Sequence, residues 1–436
     1  MLVLIFKACV STNIQTQFYK NSFLPTRLLR VCKKWNSIVV KLPYLWTSLF
    51  VEKNIGFDGE PTLKVIERRL SRTDDLGIAL SIGFEPGAFM WNRSVNIPWW
   101  KVVHLELEDQ NLHPHRVRDV LGECASLKTC SLMIDGFAYA GDDSSSDGSG
   151  DLDGGYVWSV GDDCSEEEDS GWVGENEEDR SGWNDNVDGW NDNTHYEERK
   201  RVVILPALKM LSVVFDSQLF DDYRTVPAKA RLNQSSKSDR VLSKARISPF
   251  FDGLELPALK DLTIAASHSA IDNELLMALI DLSVISCFQL VSLEICNIRI
   301  EADGFHRLLL NLTSLESLCV KSPNFGQSLP DLIEYLEYVP EKAAMNILPG
   351  LEVLTILDHV LPRDHKFTDE TSLRVLESRW WTGKTGYGKL GLSRLRRANI
   401  SWDYGCAACY LGVTLSSQRA EILRNQGLDL KYPTLD

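Results

Sequence analysis

LPALKMLSV (205–213), LPALKDLTI (256–264) and LPGLEVLTI (348–356) are three versions of one sequence pattern. Counted from the second leucine of each stretch, apolar residues stand at positions 1, 4 and 6. Because side chains alternate between the two faces of a β-strand, the apolar positions 4 and 6 predict a strand with one buried face. The pattern therefore predicts that a single structural unit recurs along the chain.

Five more segments keep this spacing without the leading Leu-Pro. They are VVHLEL (102–107), LKTCSL (127–132), LVSLEI (290–295), LESLCV (315–320) and LRRANI (395–400). Patterns typical of helices lie between strands, at residues 272–287, 301–312, 329–339 and 369–378. The recurring unit is about 25 residues long, with insertions. One strand and one helix within that length are typical of a leucine-rich repeat.

The predicted fold class is α/β, with irregular leucine-rich repeats stacked into a solenoid. Neither the strand nor the helix of one unit can bury its apolar face alone, so neighbouring units must stack. An ordinary α/β domain with a parallel sheet would also alternate strands and helices. The shared sequence template, and the lack of a glycine-rich phosphate loop after any strand, favour the solenoid.

An acidic tract interrupts the repeats at residues 141–200. It holds 20 acidic residues against 3 basic ones, a net charge of −17, whereas the whole chain carries −15. Its composition predicts a disordered insertion. Two interpretations stay open, because Trp158, Trp172, Trp183 and Trp190 lie among the acids and GWNDN occurs twice. The tract is either an expanded surface loop or a segment that folds onto a basic partner.

A basic stretch, RLLRVCKKWNSIVVKLPYLWTSL (27–49), precedes the repeats. Its apolar residues predict one continuous helical face, made of Leu28, Val31, Cys32, Trp35, Ile38 and Val39. Pro43 ends the helix. Residues 1–51 hold seven Lys or Arg and no acid, which is also the bias of a mitochondrial presequence. A folded module fits the same residues better.

This stretch resembles the second half of an F-box of the fungal type. In that family an apolar-Cys-basic-basic-Trp helix is followed by Pro, a spacer and Leu-Trp-Ser, matched here by residues 31–35, Pro43 and residues 45–48. MLVLIFKACV (1–10) resembles the first F-box helix. The family begins with Leu-Pro-x-Glu before that helix, so the resemblance implies a module, residues 1–52, that is incomplete at its start.

The repeats, at residues 53–140 and 201–436, resemble the leucine-rich solenoid that commonly follows such a box. DETSLRVLESRW (369–380) resembles its closing repeats. The resemblance implies a substrate-receptor subunit of a Skp–cullin–F-box ubiquitin ligase, with a Skp-family adaptor, a cullin ligase and a protein target as partners. Such a receptor is not an enzyme, because the ligase's partner enzyme supplies the chemistry.

The resemblance also implies two sets of binding residues. The adaptor would contact Leu28, Leu29, Val31, Cys32, Trp35, Pro43, Leu45 and Trp46, although Trp35 and Trp46 could instead form the core of the box. The target would bind strand residues on the concave surface, namely Glu106, Glu108, Ser212, Thr263, Glu294, Ser317 and Thr355. The alternative function is a leucine-rich scaffold for protein binding that no longer docks a ligase.

The sequence offers little support for catalysis, metals or cofactors. Cys406 and Cys409 have the spacing of a redox or metal pair, but no second pair accompanies them. His113 and His115 lack a cysteine partner, which argues against zinc. The basic residues of 227–246 favour a solvated loop over a nucleic-acid site.

The cysteines indicate the compartment. Ten cysteines at irregular spacing predict a reducing environment, the cytoplasm or the nucleus. Cys287, Cys296 and Cys319 lie in apolar patterns and are predicted to be small buried hydrophobic residues. No apolar run is long enough to span a membrane, so no membrane partner is predicted.

Overall fold

The repeated pattern forms the strands of a large parallel sheet in the computed structural model of this α/β chain. Within the described residues, eleven strands lie side by side in chain order, and each pairs in parallel with the next. The structure describes residues 24–52, 66–83, 97–108, 114–135, 202–216, 247–271, 273–322, 333–339, 346–358, 365–381, 393–402 and 413–431. These residues belong to one compact unit.

The strands of the main sheet are short, and two further strands form a separate parallel pair. The main sheet contains β1 (Ser48–Glu52), β2 (Ile78–Gly83), β3 (Val102–Glu108), β4 (Thr129–Asp135), β6 (Met210–Asp216), β8 (Asp261–Ile271), β9 (Ser292–Arg299), β10 (Ser317–Ser322), β11 (Val353–Asp358), β12 (Arg397–Trp402) and β13 (Asp429–Lys431). The separate pair is β5 (Val203–Ile204) and β7 (Leu254–Glu255).

Helices occupy most of the described connections. They are α1 (Leu24–Leu29), α2 (Lys33–Val39), α3 (Pro114–Glu123), α4 (Ser248–Phe251), α5 (Asn273–Ser286), α6 (Ala302–Asn311), α7 (His365–Trp381) and α8 (Val413–Asn425). The helices predicted at 272–287, 301–312 and 369–378 are confirmed by α5, α6 and α7. Of the helix predicted at 329–339, the structure describes residues 333–339, which begin in helical conformation.

Buried apolar columns run across the whole sheet. Position 4 of each unit forms one such column, because the strand register places each residue beside its equivalent on the next strand. This column contains Leu49, Leu80, Leu105, Cys130, Leu211, Leu262, Leu293, Leu318, Leu354, Ala398 and Leu430, each at most 6% exposed. Positions 1 and 6 are buried in the same way, as Leu208 and Val213 illustrate. The predicted apolar spacing is therefore confirmed.

The basic stretch near the start forms two helices, so the prediction of one continuous helical face is wrong. Cys32 is extended and caps α2, where its Sγ accepts a hydrogen bond from the Trp35 amide at 3.5 Å. The Asn36 side chain donates to the carbonyl of Leu29 at 3.3 Å, at the end of α1. These local bonds compete with the helical ones and break the helix. Val31 consequently points outward, 57% exposed.

A buried guanidinium ties α7 to the two segments that precede β11. Arg379 is 4% exposed, and it donates from Nε to Leu336 O at 2.6 Å, from Nη2 to Ile347 O at 2.7 Å and from Nη1 to Leu348 O at 2.9 Å. Burial lowers the pKa of Arg379 to about 10, which leaves the group charged at neutral pH. Leu348 has a φ of 52°, a conformation that is strained for leucine. Arg379 therefore holds a turn that does not form readily by itself.

We expect Arg379→Met to lower the free energy of unfolding by about 3 kcal/mol, because three buried carbonyls lose their donor. Urea unfolding followed by circular dichroism measures this change. Arg419→Met is the matched control: Arg419 pairs with Glu370 and Glu377 at a partly exposed site, where we expect a loss of about 1 kcal/mol or less. Equal losses in the two variants would contradict the structural role of Arg379.

Candidate interaction surfaces

The face of the sheet opposite the apolar columns carries small and polar side chains. From β3 onward, the described side chains at positions 3, 5 and 7 are mostly partly exposed, whereas positions 4 and 6 are buried. We call this side the free face. Because neighbouring strands lie about 4.8 Å apart, equivalent residues form rows that run across it.

Position 5 forms a row that holds five of the seven predicted target-binding residues. The register joins Glu106, Ser131, Ser212, Thr263, Glu294, Cys319, Thr355 and Asn399 on successive strands from β3 to β12. Ser317 lies in the neighbouring row, at position 3 of β10, and Glu108 is the last residue of β3. The structure thus brings the five together on one surface, and their role in binding stays a prediction.

An ion pair at the centre of the free face was missed by the sequence reasoning. Lys321, at position 7 of β10, binds Glu294 on β9 with 2.6 Å between Nζ and Oε1. Both side chains remain partly exposed. No spacing within one unit predicts this pair, because it joins positions 5 and 7 of two different strands. The register alone brings the charges together.

Two thiols flank this ion pair. Cys296 donates from Sγ to Glu294 Oε1 at 3.4 Å, and Cys319 lies beside Glu294 in the position 5 row. Both side chains are partly exposed and Cys287 is exposed, so the prediction that these three cysteines are buried is wrong. For Cys296 and Cys319 the strand position decides exposure, since odd positions face outward, whereas Cys287 directly follows α5. Among the cysteines that the structure describes, Cys124 and Cys130 are buried.

The electrostatics of this cluster keep the thiols protonated. Burial, together with the negative charge of Glu294, raises the pKa of Cys296 to about 12 and raises that of Cys319 as well. For Glu294, burial raises the pKa, but bonds from Lys321, Cys296 and Cys319 outweigh it, so the carboxyl titrates below its usual range. Thiols of this kind are poor nucleophiles at neutral pH. The cluster is therefore suited to binding through charge and hydrogen bonds.

The second surface belongs to the helical segment 24–47, which has a small core of its own. Val39, Leu45 and Trp46 are at most 3% exposed, and Leu28 and Leu29 are among the partly buried residues packed against them. The Trp46 indole donates to Val39 O at 3.0 Å, and the Arg72 guanidinium lies 4.4 Å from the centroid of its ring. Trp46 is thus fixed inside the chain.

The predicted adaptor residues accordingly differ in accessibility. Val31 and Cys32 are exposed. Leu28, Leu29, Trp35 and Pro43 are half-buried, and Leu45 and Trp46 are buried.

An open cavity of about 850 Å³ lies beside residues 66–70 and the single turn Trp99–Lys101. Trp100, in its wall, is 60% exposed. Lys101 stacks on Trp100 with 4.8 Å between Nζ and the ring centroid, and it also binds the carbonyl of Asp74. Leu70 and Ile97 add apolar side chains to the lining, and Glu67 and Glu123 add carboxylates. The sequence reasoning gave no signal for this cavity.

The described residues offer no assembled metal centre. Within them, no group of three His, Cys, Asp or Glu side chains could hold a metal ion. None of the helices in the described ranges is long and apolar enough to cross a membrane. The segments 1–10, 141–200 and 227–246, with His113, Cys406 and Cys409, lie outside the described residues.

No protein-family model matches the sequence, and no curated protein matches it either.

We expect Glu294→Gln to raise the alkylation rate of Cys296. Loss of the negative charge lowers the pKa of that thiol, so a larger thiolate fraction is present at a given pH, and the rate at pH 9 should rise about three- to tenfold. Peptide mass spectrometry after timed iodoacetamide treatment measures the rate. Cys287 in the same digest is the internal control, because its thiol is exposed and lies outside this cluster. An unchanged Cys296 rate would show that Glu294 does not set the thiol's acidity.

Proposed function

We propose that the chain is a non-catalytic substrate receptor of a Skp–cullin–F-box ubiquitin ligase. In this proposal the helical segment 24–47 is the described part of an F-box-like module, and the sheet with its helices is a leucine-rich solenoid that holds the target protein. The observation that carries the proposal is the strand order: eleven parallel strands follow the chain without exception in the described residues.

The strand order favours a solenoid over an ordinary α/β domain. Open doubly wound sheets reverse their strand order part-way along, as in the order 3-2-1-4-5-6. A stack of identical units adds each strand beside the last, and it keeps one register for all of them. Here the position 4 column continues from Leu49 on β1 to Leu430 on β13. This continuity supports the repeat architecture.

The helical segment has the features of a docking module. Its core is separate from the core of the sheet, so it can present a surface of its own. Leu28, Leu29 and Val31 supply apolar side chains there, and Arg27, Arg30, Lys33 and Lys34 are exposed around them. Apolar anchors should provide most of the affinity, while the basic side chains steer an acidic adaptor. Trp46 would contribute by holding the module's core.

The mechanism would be positioning. A receptor that holds the adaptor at one end and the target on its free face raises the effective concentration of a target lysine near the ligase's partner enzyme. It needs no nucleophile of its own, which agrees with the protonated state of Cys296 and Cys319. The position 5 row offers hydroxyl and carboxylate groups for selecting that target.

The alternative is a leucine-rich scaffold that binds a protein without docking a ligase. The burial of Leu45 and Trp46 favours it, because these two residues are then absent from the exposed surface. Binding to the adaptor separates the two functions.

We expect the chain to bind a purified Skp-family adaptor, and we expect Val31→Asp to weaken this binding at least about tenfold, equivalent to about 1.4 kcal/mol. Val31 is exposed, so a charge there disturbs an apolar interface without disturbing the fold. Surface plasmon resonance measures both affinities.

Ile422→Asp is the control, because Ile422 on α8 is 51% exposed and lies outside the module. It should bind the adaptor like the unaltered chain. If the folded, unaltered chain does not bind the adaptor at all, the receptor proposal fails and the scaffold remains.

A further inference from the structure

Three lysines form a row at the edge of the sheet where the strands begin. Lys128, Lys209 and Lys260 occupy position 2 of their units, directly before β4, β6 and β8, and all three are exposed. The amide of Lys209 donates to Lys128 O at 2.8 Å, and the amide of Lys260 donates to Lys209 O at 2.9 Å. The three residues are therefore immediate neighbours, with about 4.8 Å from one to the next.

No acidic side chain pairs with any of these lysines within the described part of the chain. Further along the same edge, Glu352 and Arg396 hold position 2 on neighbouring strands, and they form an ion pair of 3.3 Å. Side chains at this position thus reach one another. Like charges side by side on neighbouring strands are destabilising. The lysine row therefore costs stability, and an anionic partner would remove that cost.

The charge at position 2 changes sign along the edge. After Lys260 come the neutral Val291 and then Glu316 and Glu352, joined by backbone hydrogen bonds of 2.8–2.9 Å. A uniform polyanion such as a nucleic acid would meet these two carboxylates if it followed the edge. A protein segment can carry both signs of charge. Met210, next to Lys209 and 39% exposed, adds an apolar contact that suits a protein partner.

The spacing of the row selects the conformation of that segment. Three lysines on neighbouring strands span about 10 Å. Acidic residues at i, i+4 and i+7 of an α-helix span about 10.5 Å along its axis. Alternate residues i, i+2 and i+4 of an extended strand span about 13 Å. A helix can therefore place one carboxylate opposite each lysine, whereas the carboxylates of an extended strand are spaced too widely to match the three lysines.

We propose that this edge docks an acidic α-helix of a partner protein. Its acidic residues at i, i+4 and i+7 bind Lys128, Lys209 and Lys260. Glu316 lies about 19 Å from the first lysine, so a basic residue at i+14, about 21 Å along the axis and on the same side of the helix, meets it. Glu352, the next residue along the edge, is already paired with Arg396. The edge borders the free face at position 3, where Met210 lies, and the proposal does not depend on the proposed ligase function.

The test uses the full chain and a fluorescein-labelled, alanine-based helical peptide of about 20 residues with that charge pattern. A second peptide has the same composition in shuffled order. Fluorescence anisotropy at low salt should show the patterned peptide binding about fivefold or more tightly than the shuffled one, with weaker binding at high salt. Equal affinity for the two peptides, or no binding below about 1 mM, would overturn the proposal.

Substitutions assign the binding to the lysine row. Lys209→Glu should reduce the affinity at least about tenfold, and a patterned peptide with lysine at its i+4 position should bind this variant better than the unaltered chain. Lys431→Glu is the matched control, an exposed lysine on β13 that should leave binding unchanged. Lys209→Glu should also keep or raise the melting temperature, because it relieves repulsion within the row.

Two further outcomes contradict the proposal. If Lys209→Glu and Lys431→Glu bind the patterned peptide equally, the contact lies elsewhere on the chain. If a single-stranded oligonucleotide of about 20 bases binds more tightly than the patterned peptide and Lys209→Glu abolishes that binding, the edge is a nucleic-acid site.

Discussion

Burial of the apolar columns is the constraint on which the rest of the structure depends. A leucine on one strand of this sheet is covered only when the next strand places its own leucine beside it, as Leu262 does for Leu293. Each buried leucine of this kind stabilises the fold by about 2 kcal/mol, an amount that a single unit cannot accumulate alone. The requirement fixes the register at the position 4 column, although the register shifts after Ile78 on β2 and after Ala265 on β8. It also determines which side chains remain available for binding, because odd positions must point away from the columns.

Two surfaces follow from that register in different ways, the free face and the edge that carries the lysine row. On the free face, residues as far apart in the chain as Glu106 and Asn399 share one row. At the edge, residues at position 2 form a second line, and the charges along this line follow the order of the strands. Residues that hold the same position in successive units therefore lie in one line on the surface of the sheet. A sheet built in this way can change the groups on its surface by substitution at one position without altering its core.

The sequence predicted the parts of the fold that depend on local spacing. Apolar positions 1, 4 and 6 identified the buried columns, because strand alternation acts over two residues. The break in the helix at Cys32 was not predicted. In the sequence, a cysteine whose thiol accepts a hydrogen bond from the Trp35 amide looks the same as a cysteine that packs on a helical face. The hydrogen-bond partners of Arg379 could not be predicted from local spacing, because they are backbone carbonyls 31 to 43 residues away in the chain. Lys321 and Glu294 were likewise joined only by the register.

The direct pairing of β4 with β6 has a consequence for how such a chain can grow. These strands pair over their full length, from Thr129 with Met210 to Asp135 with Asp216, although most other strand connections are far shorter. The entropy of closing a connection increases only with the logarithm of its length, so tripling it costs about 1 kcal/mol. Burial of the apolar columns on β4 and β6 offsets this entropic cost. The connection between β4 and β6 is therefore a place where a reporter domain could be spliced in while the sheet keeps its register.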